Sequence, residues 1–330
     1  MTRYIVTGGA GFIGSALVRT LVLEPGAEVI VLDNLLSGKI ENLDEVAPSI
    51  RFHNVDISDY AAIAPLFEGA GVVFHLAAIP SVPRSILDTK PSHVANIDGT
   101  FQVLRACAAA GVRRVVYAAS SSAYGDTEVL PKIETMRPQP RSPYAVQKLL
   151  GEYYCTVFSE CFGLEAVSLR FFNVYGPRQD PGSQYSGVIS VFLRCLLDRQ
   201  PPPIYGDGKQ SRDFTYVDDV VELCRKASRA AGVAGRVYNA GNGNRYTLND
   251  VWQLLQKIED VSIAPVYREP RAGDVRHSQA DTEAAARDLG HAPRFSLEEG
   301  LKRTLEWYRA NLTPGAGTRP LHEQWEVQPR

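Results

Sequence analysis

The chain has 330 residues, of which 45% are hydrophobic and 22% charged, and its net charge is −2. That length allows one large α/β domain or two smaller ones, and the composition is typical of a soluble globular protein. The near-neutral charge gives no electrostatic case for nucleic acid or an anionic membrane, and no apolar run reaches the roughly 18 residues of a spanning helix.

A glycine-rich turn opens the chain. Residues 4–7 are β-branched or aromatic and predict a buried strand, and the residues after Gly14 have apolar side chains at helical spacing. Gly8 permits the tight turn, Gly11 lets a pyrophosphate approach the backbone, and Gly14 lets helix and strand pack closely. We predict a dinucleotide site here rather than an ordinary strand-to-helix turn.

Acidic and small residues follow the next predicted strands. Asp33 ends the strand 29–32 and lies 19 residues after Gly14, close to the position of the acid that binds the adenosine ribose hydroxyls. A carboxylate there favours NAD, because it repels a 2′-phosphate. Asp56 follows the third strand and could contact the adenine amino group. The small residues at 76–78 follow the fourth strand and suit close approach of a cofactor.

Strands and helices alternate through the first half of the chain. Further strands are predicted at 50–55, 72–76, 113–119 and 164–169, and helices at 59–68, 91–110 and 142–161. Gly163 is the predicted C-terminal cap of the last helix. Because short connections separate the alternating elements, we predict an α/β fold with a Rossmann-like, doubly wound parallel sheet.

The second half is more irregular. A loop is predicted at 173–187, a strand that returns to the sheet at 237–239, and helices at 187–198, 247–257 and 296–310. This mixture of loops and short elements predicts a smaller C-terminal α/β lobe that binds substrate. We therefore divide the chain into a dinucleotide-binding Rossmann domain at 1–172, a lobe at 173–312 and a surface tail at 313–330.

The cysteines predict no special chemistry. There are five, an odd number, without metal-ligand spacing. Most lie in predicted helices and are expected to be buried thiols. We therefore predict no metal site, and a reducing cytoplasm is the simplest setting.

Ser120, Tyr144 and Lys148 follow the fifth predicted strand, and together their side chains suit a proton transfer. Tyr144 and Lys148 are four residues apart, so they share a face of the predicted helix. An ammonium near a phenol favours the phenolate and lowers the pKa of the tyrosine. Such a tyrosine can exchange a proton with a sugar hydroxyl, and Ser120, at the end of the strand, could hydrogen-bond the same hydroxyl.

Together these segments resemble the extended short-chain dehydrogenase/reductase family, and within it the UDP-sugar 4-epimerases, including those that act on N-acetylated sugars. The resemblance covers about residues 1–311 and is carried by the segments 7–14, 33–39, 75–78, 120–125, 144–148, 170–178 and 212–214.

The resemblance implies NAD as cofactor and a UDP-sugar as substrate. The implied NAD contacts are Gly8, Gly11, Phe12, Ile13, Gly14, Asp33, Asn34, Ser37, Gly38, Asp56, Ile57, Leu76, Ala77, Ala78, Asn96, Tyr144, Lys148 and Phe172. The implied substrate contacts are Ser81, Ser121, Ser122, Asn173, Val188, Tyr205, Arg212, Arg271, Asp274 and Ser278. The two arginines of this set suit a diphosphate, since a guanidinium grips two oxygens at once.

The implied reaction is epimerisation at C4. Tyr144 would take the proton from O4 while C4 gives a hydride to NAD, with Ser120 as the catalytic hydroxyl and Lys148 as the electrostatic partner. The 4-ketosugar would turn over and be reduced on its other face. Ser278 is small, which would leave room for an N-acetyl group. We therefore expect activity on UDP-GlcNAc and UDP-GalNAc, and also on UDP-glucose and UDP-galactose.

Relatives pair the helices 91–110 and 142–161 across a two-fold axis, so a homodimer is expected.

Two other reactions compete with epimerisation of neutral sugars. A 4,6-dehydratase needs an Asp-Glu pair where this chain has Ser121 and Ser122, which argues against dehydration. Epimerisation or decarboxylation of UDP-glucuronate stays open, because Arg84 could meet a carboxylate. A non-enzymatic NAD-sensing protein would be expected to lack part of the Ser120, Tyr144 and Lys148 set.

Overall fold

The computed structural model describes residues 2–180, 187–270 and 275–312. In chain order the strands are β1 Thr2–Thr7, β2 Ala27–Asp33, β3 Ile50–Asn54, β4 Val72–His75, β5 Arg114–Ser120, β6 Glu165–Phe171, β7 Asn173–Tyr175, β8 Pro203–Tyr205, β9 Ser211–Arg212, β10 Phe214–Tyr216, β11 Val237–Ala240, β12 Tyr246–Thr247 and β13 Val266–Arg268. Seven of them form a parallel sheet in the order β11-β6-β5-β4-β1-β2-β3. The predicted doubly wound α/β sheet is confirmed, and so is the strand that returns to it, β11.

Helices cover both faces of this sheet. They are α1 Phe12–Leu21, α2 Tyr60–Ile63, α3 Val82–Leu87, α4 Thr89–His93, α5 Gly99–Ala109, α6 Pro143–Phe162, α7 Val188–Leu197, α8 Val217–Arg229, α9 Leu248–Glu259, α10 Glu283–Leu289 and α11 Leu297–Asn311. The predicted long helix at 91–110 is α4 and α5, joined by a π-helical turn at Val94–Asp98. The helices predicted at 142–161, 187–198, 247–257 and 296–310 are confirmed as α6, α7, α9 and α11.

The alternation of side chains along the strands divides the core in two. Val6 and Val31 point into a cluster with residues of α1 and α8. Ile5 and Ile30, one residue earlier on the same strands, point into a second cluster with residues of α5 and α6. Because both faces of the sheet are covered, its strands are nearly continuous apolar runs.

Three predictions at element level were wrong. The segment 173–187 begins with a strand rather than a loop, because β7 pairs in parallel with the distant β10. The helix predicted at 59–68 breaks into α2 and a 3₁₀ turn at Ala64–Phe67, where Pro65 stands near the start of the turn. The fourth strand ends at His75, one residue earlier than predicted.

The second half of the chain carries the smaller elements. The pairs β7–β10, β9–β12 and β8–β13 lie outside the main sheet. Helix α8 returns to the main sheet and packs against α1 and β5. Within the described ranges, none of the helices is long and apolar enough to cross a membrane. The predicted tail at 313–330 lies outside the described residues, and the domain boundaries stay predictions.

Candidate active site

The strand order reverses at β1, with β2 and β3 on one side and β4, β5 and β6 on the other. In open α/β sheets, ligands bind beyond the carboxyl ends of the strands at such a reversal. The glycine turn follows β1, and the partly buried residues 76–78 follow β4. The structure therefore brings these two predicted cofactor segments together at the expected place.

The backbone around the glycine turn packs too closely to admit a side chain at Gly8 or Gly14. Gly8 has a φ of 71°, and a Cβ there would lie 2.6 Å from the Ala77 nitrogen. A Cβ on Gly14 would lie 2.1 Å from the Gly8 carbonyl oxygen. Real Cβ atoms do not approach that closely, so both positions require glycine.

The N-terminus of α1 is open to an anion. Gly11 is its N-cap residue and supplies no side-chain cap, and Phe12 and Ile13 begin the first turn. The first N–H groups of a helix have no intrahelical partner, and the helix dipole favours negative charge there. The turn therefore fits the pyrophosphate of NAD.

Asp33 lies beside the same turn. Its carboxylate is 7% exposed and accepts hydrogen bonds from the backbone N–H groups of Ala10, at 3.0 Å, and Leu35, at 2.8 Å. Burial raises the pKa of Asp33, and these two hydrogen bonds act against that increase. A Cβ on Gly38 would lie 2.9 Å from the carboxylate. Asp33 and Gly38 thus lie together beside the turn, and the contact of Asp33 with the ribose stays a prediction.

The predicted adenine side is polar and open. The amide of Asn34 donates to the carboxylate of Asp56 at 3.0 Å, which also accepts from Ser58. Burial raises the pKa of Asp56, but the hydrogen bonds from Ser58 and Asn34 outweigh it and lower the pKa. Ser37 is exposed on the loop after β2, whereas Ile57 is buried under α5.

The proposed catalytic side chains meet beyond β5. Ser120 is the last residue of β5, and its Oγ accepts from the Ser122 hydroxyl at 2.8 Å. Tyr144 is in the first turn of α6, and its N–H donates to the Oγ of Ser85 at 3.1 Å. Lys148 is one turn further and only 3% exposed. The structure therefore brings the three predicted residues together.

The electrostatic prediction for Tyr144 was wrong in its direction. Burial raises the pKa of Tyr144, and its hydrogen bond with Ser120 opposes that increase without cancelling it. Burial also lowers the pKa of Lys148 to about 8, although Cys155 and Glu152 act to raise it. Desolvation is thus the largest cause of both pKa shifts, and it favours the neutral form of each group.

Asn96 joins the cofactor side to the catalytic helix. Its side chain accepts from the N–H of Ile79 at 2.8 Å and donates to Gln147 at 2.9 Å. Gln147 in turn donates to Ser92 at 3.0 Å. Asn96 lies in the π-helical turn, a feature that often marks functional sites. The sequence analysis missed Gln147, because its burial and its contact with Asn96 appear only in the folded structure.

His75 lies in a second buried chain that the sequence analysis did not assign. Thr100 donates to the Asn96 carbonyl oxygen, so it accepts from Nε2 of His75 at 2.9 Å. Nδ1 then accepts from the Thr7 hydroxyl at 2.7 Å. Burial, assisted by the charge of Lys148, lowers the pKa of His75 to about 3. The ring is therefore neutral and links β1, β4 and the π-helical turn.

The predicted substrate residues lie on several elements of the second half. Asn173 is exposed at the start of β7, Val188 begins α7, and Tyr205 ends β8. Arg212 on β9 donates to the carbonyl oxygens of Ser211 and Arg276. Ser278 donates its N–H to Ser211, while its Oγ is buried without a hydrogen-bond partner.

Of the five remaining residues predicted to contact the substrate, three lie in the described part of the chain and two lie outside it. Ser81 is buried as the N-cap of α3, and Ser121 and Ser122 are partly buried directly after β5. Arg271 and Asp274 lie outside the described residues, so the predicted diphosphate and ribose contacts there stay predictions.

The arrangement can oxidise and reduce a hydroxyl carbon. The glycine turn and Asp33 fit a dinucleotide, and Phe172, buried between β6 and β7, packs against Tyr124. The tyrosine and serine provide a proton acceptor and a hydrogen-bonding hydroxyl at the carboxyl end of β5. This is the site of a dinucleotide-dependent enzyme that acts on a hydroxyl group.

Comparison with known proteins gives the family. A profile described as the NAD dependent epimerase/dehydratase family matches residues 4–241. The chain belongs to this family. NAD is accordingly its cofactor, as predicted, and the predicted family resemblance is confirmed.

Individual relatives match along nearly the whole chain. A UDP-glucose 4-epimerase of Mycolicibacterium smegmatis is 38% identical over 93% of this chain and 98% of its own. The crystal structure of UDP-glucose 4-epimerase from Thermotoga maritima, with UDP-glucose, has a TM-score of 0.90 and 40% identity, and covers 94% of this chain and 100% of its own.

Other matches carry other substrates or reactions in their names. A UDP-N-acetylglucosamine 4-epimerase from Methanobrevibacter ruminantium, in complex with UDP-N-acetylmuramic acid, has a TM-score of 0.90 and 35% identity, and covers 94% of this chain and 99% of its own. A dTDP-glucose 4,6-dehydratase of Streptomyces griseus is 37% identical over 93% of this chain and 94% of its own. Overall identity thus does not select one substrate among these relatives.

Proposed function

We propose that the protein is an NAD-dependent 4-epimerase of UDP-hexoses. The observation that carries this proposal is the position of Tyr144 beside Ser120 at the carboxyl end of β5, with Lys148 one helical turn away. The similar proteins named as UDP-sugar 4-epimerases support the same conclusion.

In this proposal the chain's own residues move one proton and hold the sugar. Bound NAD would supply reversible hydride transfer with C4 of the sugar. Tyr144 takes the O4 proton and later gives it back, while Ser120 hydrogen-bonds O4. Because burial raises the pKa of Tyr144, the phenolate needs additional positive charge nearby, which Lys148 and the oxidised cofactor together provide. Asn96 and Gln147 keep α6 in register with the cofactor segment.

The proposed substrates include acetylated sugars. Ser278 is small, and a serine at this position, in place of a bulky residue, is proposed to leave room for the N-acetyl group. We propose UDP-GlcNAc and UDP-GalNAc as one substrate pair and UDP-glucose and UDP-galactose as a second. In the same proposal, Arg212 and Arg271 hold the diphosphate and Asp274 the ribose.

Two alternatives remain of unequal strength. Dehydration needs an acid and a base after β5, and Ser121 and Ser122 supply neither. UDP-glucuronate is the better alternative, because Arg84 stands next to Ser85, whose Oγ accepts from the Tyr144 N–H. A carboxylate at C6 could then meet the guanidinium.

We also propose a homodimer through α5 and α6. Val146, Leu150, Tyr153 and Val157 recur at intervals of three and four residues along α6 and are 36–53% exposed. Phe101, 36% exposed, adds an aromatic ring from α5. An apolar stripe on a long helix is typical of a helix–helix interface. The cytoplasmic setting stays a prediction from the cysteines.

The proposed reaction is tested by incubating the pure protein with each UDP-hexose and UDP-glucuronate, without added NAD, and analysing the sugar at C4. Conversion of UDP-glucose and UDP-GlcNAc to their C4 epimers is expected. Release of a 4-keto-6-deoxy product, or conversion of UDP-glucuronate alone, would contradict the proposed function.

A further inference from the structure

A buried ion pair lies behind Lys148. Glu152 is four residues after Lys148 on α6, and Arg170 is on β6. The two side chains are 2% and 4% exposed and meet side-on, with Nε–Oε1 at 3.0 Å and Nη2–Oε2 at 2.8 Å. A buried ion pair recovers little more than the free energy its desolvation costs, so stability alone is a weak reason for its presence.

Of the two charged partners, Glu152 is the one beside Lys148, and Arg170 is paired with Glu152. Glu152 shares a helix face with Lys148, as residues four apart do. Arg170 lies beyond Glu152 and stacks its guanidinium on the Tyr124 ring, with 4.6 Å between Cζ and the ring centroid. The sequence of charges is therefore ammonium, carboxylate, guanidinium.

Glu152 is the anion available to Lys148. The titratable and charged groups that surround Lys148 are Tyr144, Glu152 and Cys155 on α6, His75 on β4, Tyr117 on β5 and, beyond Glu152, Arg170 on β6. Burial raises the pKa values of Cys155, Tyr117 and Tyr144, and His75 is neutral. Among these described groups, Glu152 is the one held in the geometry of a carboxylate, side-on to the Arg170 guanidinium.

Arg170 is needed to keep that charge. Burial raises the pKa of Glu152, and the hydrogen bonds and charge of Arg170, followed by the charge of Lys148, limit that increase without cancelling it. Without the guanidinium, the buried carboxyl would take up a proton. Lys148 would then lose its nearby negative charge and, being buried itself, its own proton.

We propose that the Glu152–Arg170 pair is a positioning device for the proposed catalysis. Arg170 keeps Glu152 ionised, and Glu152 keeps Lys148 cationic next to Tyr144. Neither residue touches the reacting atoms. The role rests on the proposed epimerase function, and it assigns a use to two buried charges for which stability alone is a weak reason.

The test is the pH profile of kcat/KM in Glu152→Gln. Loss of the carboxylate should move the alkaline limb to lower pH by roughly one to two units. Glu152→Asp should restore most of the wild-type profile. Glu165→Gln is the matched control, because it breaks the Arg114–Glu165 pair, at 2.8 Å, which joins β5 to the start of β6, at the opposite end of β6 from Arg170. That variant should keep the wild-type limb.

A double variant separates this role from a structural one. Glu152→Gln with Arg170→Met leaves no unpaired charge, so a purely structural pair predicts recovery of the wild-type profile. Our inference predicts that the alkaline limb stays shifted. A wild-type limb in both Glu152→Gln and the double variant would overturn it.

A second readout does not require turnover. Lys148 is also a predicted NAD contact, so the pH above which bound NAD is released should shift downward in the same variants. Wild-type protein without epimerase activity would refute the proposed function. An unshifted pH of NAD release would refute the role of the ion pair instead.

Discussion

Desolvation decides the charge state of the individual residues at this site. Tyr144, Lys148 and Asp33 each have a pKa moved toward the neutral form by burial. Sequence reasoning considered the attraction between Tyr144 and Lys148, but it had no measure of burial. The residues are therefore placed for catalysis, while their activation depends on the charges that surround them.

His75 should make the fold sensitive to acid. Its pKa falls from 6.5 to about 3 on folding, so between these values only the unfolded chain binds a proton. The contribution of His75 to stability is full above pH 6.5 and is lost as the pH falls toward 3. Between pH 7 and pH 5 we expect a loss on the order of 2 kcal/mol in the free energy of unfolding.

Urea unfolding at the two pH values measures this loss. His75→Gln should show a smaller decrease than the wild type, whereas His93→Gln, at an exposed position on α4, should behave like the wild type. An identical pH dependence in His75→Gln would show that the buried imidazole is not the source.

Ser278 should control substrate size. Ser278→Tyr fills the space proposed for the acetyl group, so kcat/KM for UDP-GlcNAc should fall at least 100-fold more than for UDP-glucose, about 2.7 kcal/mol of discrimination. Ser278→Ala, which removes the hydroxyl and keeps the space, should retain both substrates. Equal losses on both sugars in Ser278→Tyr would refute the gate.

Among the elements, the glycine turn is the least tolerant of change. In Gly14→Ala the new Cβ would meet the Gly8 carbonyl oxygen at 2.1 Å, so helix α1 must move away from β1. We expect bound NAD to be lost and stability to fall by about 1–3 kcal/mol.

Gly71→Ala is the matched control, because its Cβ would meet nothing closer than 3.6 Å. Cofactor content by absorbance and thermal unfolding give the two readouts. Normal NAD content in Gly14→Ala would show that the close packing of α1 is not required for binding.

Local signals explain which elements the sequence predicted. The glycine turn and the order of alternating strands in the main sheet depend on neighbouring residues and on apolar runs, so the sequence predicted the sheet correctly. β7 was missed because its partner, β10, is about 40 residues away. Helix α8 was missed for a related reason: its apolar face is fixed by packing on α1 and β5 rather than by a capping signal.

Within the site too, residues linked by a local spacing were found from the sequence, whereas contacts between distant segments were not. Tyr144 and Lys148 were found because a fixed spacing on one helix connects them. The contacts from Asn96 to Ile79 and Gln147 join three separate segments, and no pattern along the chain records them.

At the scale of the whole molecule, the proposed homodimer through α5 and α6 can be tested directly. Leu150→Glu places a charge in the apolar stripe of α6 and should give a monomer by analytical ultracentrifugation. Leu23→Glu, at a position that is 81% exposed after α1, should leave the dimer intact. A dimer of unchanged stability in Leu150→Glu would place the interface elsewhere.

The central claim is that the Tyr144 phenol carries the proton between O4 and the protein. The most direct measurement is the rate of C4 epimerisation in Tyr144→Phe, with the NAD content of the same sample determined in parallel. The account predicts a loss of at least about 100-fold in kcat with NAD still bound. A rate within a few-fold of wild type, at full NAD content, would contradict it.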